Sequence, residues 1–309
     1  MIALSFKKKV IITGANGFLG RHLYEKLILS SDYEVFRFVR NNVQLENDYN
    51  VDIRNKDSVE DAIFSIQPHI VFHLAADIRP SRSIIDLEDM IYTNIIGTMN
   101  LLSAIVESSS PMECFLNVGS CEEYGDNEQP FKEDLLPRPV SMYSGTKAST
   151  TILCEMLSRV HGVPVVTARP SLLYGPGQHE RFFIVQAINK LLANEDFDMT
   201  LGEQTRDFLY VDDAVDGLIA ISRSENVRGQ LYNLTSGSQY PIVQIVSYLK
   251  QIIHSSSEIN IGAIPYRNNE VMSFNCPNEK LKVECNWEPK VSLLDGLIKT
   301  VEYYKNYTG

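Results

Sequence analysis

The stretch "MYSGTK", residues 142 to 147, sets a tyrosine one helical turn before a lysine among small and polar residues. Of the fifteen tyrosines in the chain, Tyr143 alone is followed four positions later by a lysine. On a helix, positions i and i+4 share a face, so Lys147 would lie beside Tyr143. An adjacent ammonium favours phenolate and is expected to draw the tyrosine pKa down toward neutrality. A tyrosine so tuned is a usable general acid or base. Ser120, which closes a strand-like run in "LNVGSCEEYG", could give a second hydrogen bond to the same substrate oxygen as a carbonyl becomes an alkoxide. A strand-end serine also fits that position with no chemistry attached.

The elements that must position these residues are legible as a pattern. Short β-rich runs at 9 to 13, 34 to 39, 69 to 74, 114 to 119 and 163 to 169 alternate with longer amphipathic segments, including helices at 93 to 109 and 143 to 160. That alternation predicts a doubly wound parallel sheet with crossover helices. Beyond about residue 170 the regularity gives way to Gly-Pro turns, a strand-like "FDMTLG", a short helix after "YVDDAV", and elements at 241 to 253 and 291 to 305. This predicts an α/β fold with a smaller mixed α/β C-terminal region. No linker rich in Pro, Gly or Ser separates the two parts, so tight packing between them is expected.

"VIITGANGFLGRHL" places Gly14, Gly17 and Gly20 between a β run and an apolar helix. Glycines there let the backbone turn sharply and approach a pyrophosphate, whose charge then meets the N–H groups of a helix N-terminus. A plain glycine turn gives the same spacing. "HLAAD", closing the run at 69 to 74, supplies small residues where a dinucleotide would cross the sheet edge. The end of the second strand distinguishes two nicotinamide cofactors: a carboxylate suits a ribose hydroxyl, an arginine a 2′-phosphate. Here "VFRFVRNN" has no acid at its end and offers Arg40, which favours NADP(H) over NAD(H), although an exposed arginine needs no ligand. Asp52, in "NVDIR", is a candidate partner for the adenine end.

The formal net charge of −11 argues against nucleic acid as a partner. The first strand begins too early for a signal peptide, and no apolar stretch is long enough to span a membrane, so a cytoplasmic protein is expected. Cys114, Cys121, Cys154, Cys276 and Cys285 form an odd set without a C-x-x-C pair, which predicts reduced thiols, no structural zinc and no metal.

With these residues assembled, the chain resembles the extended short-chain dehydrogenase/reductase family, also called the NAD-dependent epimerase/dehydratase family, whose members act on nucleotide-linked sugars. The resemblance runs through "TGANGFLG", "HLAA", Ser120 with "YSGTK", "ARPSLLYGPG" and "TRDFLYVDDAV", in that order along the chain. It implies a Rossmann-type dinucleotide domain over about residues 1 to 170 and a nucleotide-sugar-binding region over 171 to 309, with some chain exchanged between them. Ser120, Tyr143 and Lys147 would form the catalytic trio, with Lys147 also holding the nicotinamide ribose. The dinucleotide would meet Gly14, Asn16, Gly17, Phe18, Leu19, Gly20, Arg40, Asp52, Ile53, Leu74, Ala75, Ala76 and Pro170, together with Tyr143 and Lys147. The nucleotide diphosphate sugar would meet Cys121, Glu122, Arg181, Arg206, Arg267 and Glu270. Members commonly dimerise through the helices at 93 to 109 and 143 to 160, which implies a homodimer here.

Within the family, many sugar 4,6-dehydratases carry Asp-Glu where this chain has Cys121-Glu122, and GDP-mannose dehydratases keep only the glutamate. The loop "EEYG" is similar to GDP-4-keto-6-deoxymannose reductases, and "GAIPYRNNEVM" with "NWEP" is similar to abequose synthase. These resemblances imply NADPH-dependent reduction of the C4 ketone of a nucleotide-linked 4-keto-6-deoxyhexose. A redox-neutral epimerase or dehydratase is the alternative, and a dinucleotide sensor without catalysis a further one. His179 matches an epimerase acid/base in GDP-fucose synthases and equally suits an exposed loop residue.

Overall fold

The computed structural model describes residues 7–41, 43–79, 83–225, 228–267 and 270–307. Its chain order begins β1 (Lys8–Thr13), α1 (Phe18–Ile28), β2 (Tyr33–Val39), β3 (Asp48–Asn50), α2 (Lys56–Ile66) and β4 (Ile70–His73). Next come α3 (Ile84–Met90), a π-helical turn at Ile91–Ile96, α4 (Gly97–Ser108), β5 (Cys114–Val118), a 3₁₀ turn at Cys121–Tyr124, α5 (Met142–His161) and β6 (Val165–Pro170). The remainder is β7 (Leu172–Tyr174), α6 (Phe183–Leu192), β8 (Phe197–Met199), β9 (Thr205–Tyr210), α7 (Val211–Arg223), β10 (Leu231–Leu234), β11 (Gln239–Pro241), α8 (Ile242–Ile253), β12 (Ile259–Ile261), α9 (Glu279–Cys285) and α10 (Leu293–Tyr307).

Seven strands form one sheet in the order β10-β6-β5-β4-β1-β2-β3, and β3 through β6 run parallel to their neighbours. This is the doubly wound Rossmann-type arrangement that the alternating pattern predicts. Because crossover helices cover such a sheet, its strands are apolar through their length. Ile11, Phe36, Val71 and Phe115 are accordingly buried together with Val59 and Ile63 of α2 and Leu101, Leu102 and Ile105 of α4. The chain leaves β1 toward β2 and β3, then returns to the other side of β1 as β4. The strand order thus reverses where Thr13 pairs with His73, and ligands bind outside the strand ends at such a switch point.

Two compact units emerge from the contacts. The first comprises Met1–Gly125, Leu136–Arg169 and Leu218–Tyr232; the second comprises Asp126–Leu135, Pro170–Gly217 and Asn233–Gly309. The second holds a three-stranded sheet, β11-β9-β7, and the pair β12-β8. Its own core gathers Tyr174, Ile184, Ile188, Phe208, Ile245, Leu249, Leu297 and Val301.

Helix α5 starts where Ser141 and Ser144 cap one another, each side chain accepting from the other's backbone N–H. It ends at Gly162, whose φ of 73° is the left-handed conformation that glycine adopts without strain. The helix at 93 to 109 is longer than its apolar spacing predicts, since α3, the π turn and α4 follow one another without a break. Within the π turn, buried Asn94 fastens three segments. Its Oδ1 accepts from the Asp77 N–H at 2.7 Å, and its Nδ2 donates to the Asp77 carbonyl at 3.1 Å and to Thr146 Oγ1 at 2.8 Å. π turns of this kind recur at functional sites.

A second network crosses the sheet end. Thr13 Oγ1 accepts from the Leu74 and Ala75 N–H groups at 3.2 and 3.1 Å and lies 2.8 Å from His73 Nδ1. His73 Nε2 is 2.7 Å from Thr98 Oγ1, which donates to the Asn94 carbonyl at 2.6 Å. With the Thr98 proton committed, Nε2 must be the donor and Nδ1 the acceptor, which assigns the neutral tautomer. Burial and the nearby Lys147 ammonium hold the His73 pKa down at about 3. An unfolded chain takes up this proton near pH 6.5 and the folded one does not until far lower, so stability is lost as pH falls through that window. Chemical denaturation between pH 6.5 and 3 should therefore show a loss approaching about 1.4 kcal/mol per pH unit from this group. A His73→Gln variant should lose that part of the slope; an unchanged slope would mean His73 titrates normally.

Candidate active site

The three residues of the expected trio gather at the carboxyl end of the sheet. Ser120 follows β5, and Tyr143 and Lys147 occupy the first turns of α5. Ser144, Thr146, Ala148, Thr150 and Thr151 are also buried, so the small side chains of this helix admit a lysine into the packed layer. Lys147 is 3% exposed, while Tyr143 is half-buried. The Ser120 side chain lies near enough to Tyr143 to favour its phenolate.

The electrostatics depart from the expectation set by the i, i+4 spacing. Burial, reinforced by the Glu122 and Glu123 carboxylates, holds the Tyr143 hydroxyl well above the ordinary tyrosine range, and the Ser120 side chain only partly offsets this. The lysine one turn away does not bring the phenol toward neutrality in the free protein. Lys147 is itself pushed down by burial, with Glu123 acting in the opposite direction. The free protein therefore presents a protonated phenol.

The glycine loop is built for close approach. Gly14 has φ 69°, and a Cβ there would stand 2.8 Å from the Ala75 nitrogen; a Cβ on Gly20 would stand 2.3 Å from the Gly14 carbonyl oxygen. Gly17 precedes α1 without any side-chain hydrogen bond to the first N–H groups, which leaves them for an anion. Phe18 and Leu19 are half-buried in the first turn, and Leu74, Ala75 and Ala76 are half-buried on the facing segment. A cradle that no Cβ fits, facing uncapped N–H groups, suits a dinucleotide pyrophosphate. Asn16 beside it is held by Arg37 Nη2. Sequence reasoning missed Arg37, a cation inside "VFRFV" that stacks over Tyr24 at 4.8 Å and pairs with Asp48 at 3.4 Å. Its position between apolar neighbours on a central strand was the available signal.

Arg40 and Asp52 come together in a cavity of about 470 Å³ that Asn41, Asn50, Arg54, Asn55 and Ser58 also line. Arg54 engages Asp52 with Nε at 2.9 Å and Nη2 at 2.5 Å, and holds its carboxyl below the usual range, with Arg40 adding to the effect. Ile53 is buried, and a Cβ on Gly97 of α4 would stand 2.6 Å from its Cδ1. Pro170 is the last residue of β6.

Of the residues expected to meet substrate, Glu122 is exposed, whereas Cys121 is buried and its thiol donates to the Arg169 carbonyl at 3.1 Å. In the second unit, Arg206 Nη2 pairs with Glu270, and Nη1 donates to the Thr205 and Val271 carbonyls at 2.8 and 2.7 Å. Arg181 is exposed with its guanidinium 5.2 Å from the Phe182 ring centroid, and its N–H donates to Nδ1 of exposed His179. Arg267 is exposed and its carbonyl accepts from the Glu270 N–H at 3.2 Å. Residues 268 and 269 of "GAIPYRNNEVM" lie outside the described residues. All five cysteines are free and buried. Among the described residues, no group of three or more His, Cys, Asp or Glu could hold a metal ion, and no helix is long and apolar enough to cross a membrane.

The chain has relatives among known proteins. The chain is 26% identical over 330 residues to dTDP-glucose 4,6-dehydratase of Haemophilus influenzae, covering 96% of this chain and 97% of that one. It is 30% identical over 315 residues to UDP-glucuronic acid decarboxylase 1 of Xenopus tropicalis, covering 97% and 72%. The fold superposes on UDP-glucuronic acid 4-epimerase from Bacillus cereus, solved with UDP-glucuronic acid and NAD, with a TM-score of 0.86, 28% identity and coverage of 97% and 99%. Residues 10–235 match the NAD dependent epimerase/dehydratase family along the run from β1 to β10, and the chain belongs to that family.

Proposed function

We propose that the chain carries out oxidation–reduction at C4 of a nucleotide-linked hexose, with a nicotinamide dinucleotide as hydride carrier and Tyr143 as proton carrier. The observation that carries this reading is the convergence of Ser120 after β5, and of Tyr143 and buried Lys147 in the first turns of α5, on the sheet end that also holds the glycine cradle. The dinucleotide, when bound, supplies or accepts the hydride. For reduction, Tyr143 Oη donates its proton to the forming C4 alkoxide while the Ser120 hydroxyl donates a hydrogen bond to the same oxygen. Lys147 then stabilises the tyrosinate that remains. For oxidation the same atoms work in reverse, and tyrosinate takes the proton of the C4 hydroxyl.

Two net outcomes use this machinery. The relatives are named for a dehydration, a decarboxylation and an epimerisation, none of them a net reduction, and that favours a redox-neutral cycle. This shifts weight away from the 4-ketoreductase implied by the tail motifs. Net reduction by NADPH keeps two supports: Val39-Arg40 in place of an acid at the end of β2, and Cys121 in place of an aspartate. Arg40 and Arg54, in one cavity, suit a 2′-phosphate. Arg206, Arg181 and Arg267 are the cations we assign to the nucleotide diphosphate, which must compete with Glu270 for Arg206.

A panel of dTDP-glucose, UDP-glucose, UDP-glucuronic acid and the GDP-, CDP- and dTDP-linked 4-keto-6-deoxyhexoses separates the outcomes. Product without consumption of NADPH supports the redox-neutral cycle, and stoichiometric loss of NADPH absorbance supports the reductase. No binding of any nucleotide sugar would overturn both. Tyr143→Phe should keep its dinucleotide affinity and lose roughly 100- to 10,000-fold in turnover, as expected for a missing general acid or base. Arg40→Ala should weaken NADPH far more than NADH in a binding titration; equal effects would mean that the arginine does not read a phosphate.

We also propose that the chain self-associates. Ile84, Ile85 and Tyr92 on α3 and the π turn are 69%, 82% and 50% exposed, and Ile152 and Val160 on α5, which packs beside them, are 55% and 66% exposed. A second copy of the same helices would cover such a face. Sedimentation should find a dimer that Ile152→Glu with Val160→Glu converts to monomer; a wild-type monomer would contradict this.

A further inference from the structure

Beneath the Ser120–Tyr143 pair lies a charge that none of the chemistry above uses. Glu123 is 0% exposed. Its Oε1 accepts from the Ser120 backbone N–H at 2.8 Å, and its Oε2 accepts from Arg169 Nε at 2.9 Å and Nη2 at 2.8 Å. Arg169, at the end of β6, is 1% exposed and stacks over the Tyr124 ring at 4.5 Å. Buried ion pairs of this kind seldom add stability over apolar residues of similar volume, so the fold alone gives little reason to place one here.

The turn around it is arranged to hold Ser120. The Ser120 hydroxyl accepts from the Glu122 N–H at 3.1 Å and the Glu123 N–H donates to the Ser120 carbonyl at 3.1 Å, while the Glu123 side chain returns to the Ser120 N–H. The Arg138 N–H donates to the Glu123 carbonyl at 3.0 Å. Gly119 makes room for the carboxylate, since a Cβ there would stand 2.4 Å from Glu123 Oε1.

We propose that Glu123, clamped by Arg169, is a positioning residue: it fixes the backbone of Ser120 so that the serine hydroxyl meets Tyr143. The proposal rests on the reading of Ser120 and Tyr143 as the reacting pair. Glu123 also acts as a buried anion on its neighbours, raising Tyr143 and helping Lys147 stay charged. The charged and titratable groups around Tyr143 are Glu122 and Glu123 on the 3₁₀ turn and Lys147 on its own helix, with neutral His73 of β4 near Lys147.

Two variants separate geometry from charge. Glu123→Gln with Arg169→Met keeps an oxygen for the Ser120 N–H and removes both charges without leaving one unpaired. Gly119→Ala keeps both charges and crowds the carboxylate off Ser120. Ultraviolet difference titration of tyrosinate in the NAD⁺-loaded protein, with Tyr143→Phe as the blank, should move the Tyr143 signal to lower pH in the double variant, whereas Gly119→Ala, which keeps both carboxylates, should show no such downward move. On the nucleotide-sugar panel, Gly119→Ala should lose roughly tenfold to a hundredfold in kcat with little change in KM, the scale of a misplaced catalytic group. Wild-type kcat and an unmoved tyrosine signal in folded variants would overturn the proposal, as would a loss confined to KM. If the double variant does not fold, Gly119→Ala decides; if neither folds, the pair is structural and the proposal fails. Near-normal turnover in Tyr143→Phe would instead sink the functional reading itself.

Discussion

Lys147 carries an ammonium group into a packed layer at 3% exposure, and taking such a charge out of water costs several kcal/mol. The surroundings are arranged to tolerate it. His73 stays neutral in a chain of hydrogen bonds through Thr13 and Thr98, so that it adds no second positive charge. Glu123 supplies an anion that favours the charged lysine, and Glu123 in turn needs Arg169. One buried carboxylate thus serves two buried cations: it pairs with Arg169 and favours the charged form of Lys147.

The parallel sheet makes that placement possible. Its strands put their carboxyl ends on one side, so the glycine loop after β1, the Leu74–Ala76 segment after β4 and Ser120 after β5 converge without any long-range search. Asn94 in the π turn then ties the segment after β4 to Thr146 of α5, which sets the height at which Tyr143 and Lys147 meet the strands. The same burial that allows the lysine keeps the tyrosine protonated. A phenol in this state holds the proton that reduction of a ketone needs but releases it only once its environment gains positive charge.

Local signals were legible in the sequence and distant ones were not. The glycine spacing and the Tyr143–Lys147 pair are each confined to a few residues, and the β/α alternation predicts the doubly wound sheet that the structure has. In the free protein the Tyr143 shift runs opposite to what the i, i+4 spacing alone implies, because spacing reveals the lysine but not the burial or the two carboxylates of the 3₁₀ turn. Glu123 and Arg169 stand 46 positions apart, and Asn94 and Thr146 stand 52 apart, distances at which no periodicity connects them. The π turn was hidden because Ile91–Ile96 carries apolar residues at spacing that an ordinary helix also satisfies. Family resemblance in short motifs pointed to reductases, whereas the relatives compared above are named for dehydration, decarboxylation and epimerisation.

The central claim is that the burial and carboxylates around Tyr143 keep it protonated until positive charge arrives beside it. Ultraviolet difference titration of the free protein and of its complex with oxidised dinucleotide measures this directly. The account predicts no ionisation assignable to Tyr143 across the stable pH range of the free protein, and a new tyrosinate step at lower pH in the complex that disappears in Tyr143→Phe. Identical titrations in the two states, or a step that survives the substitution, would contradict it.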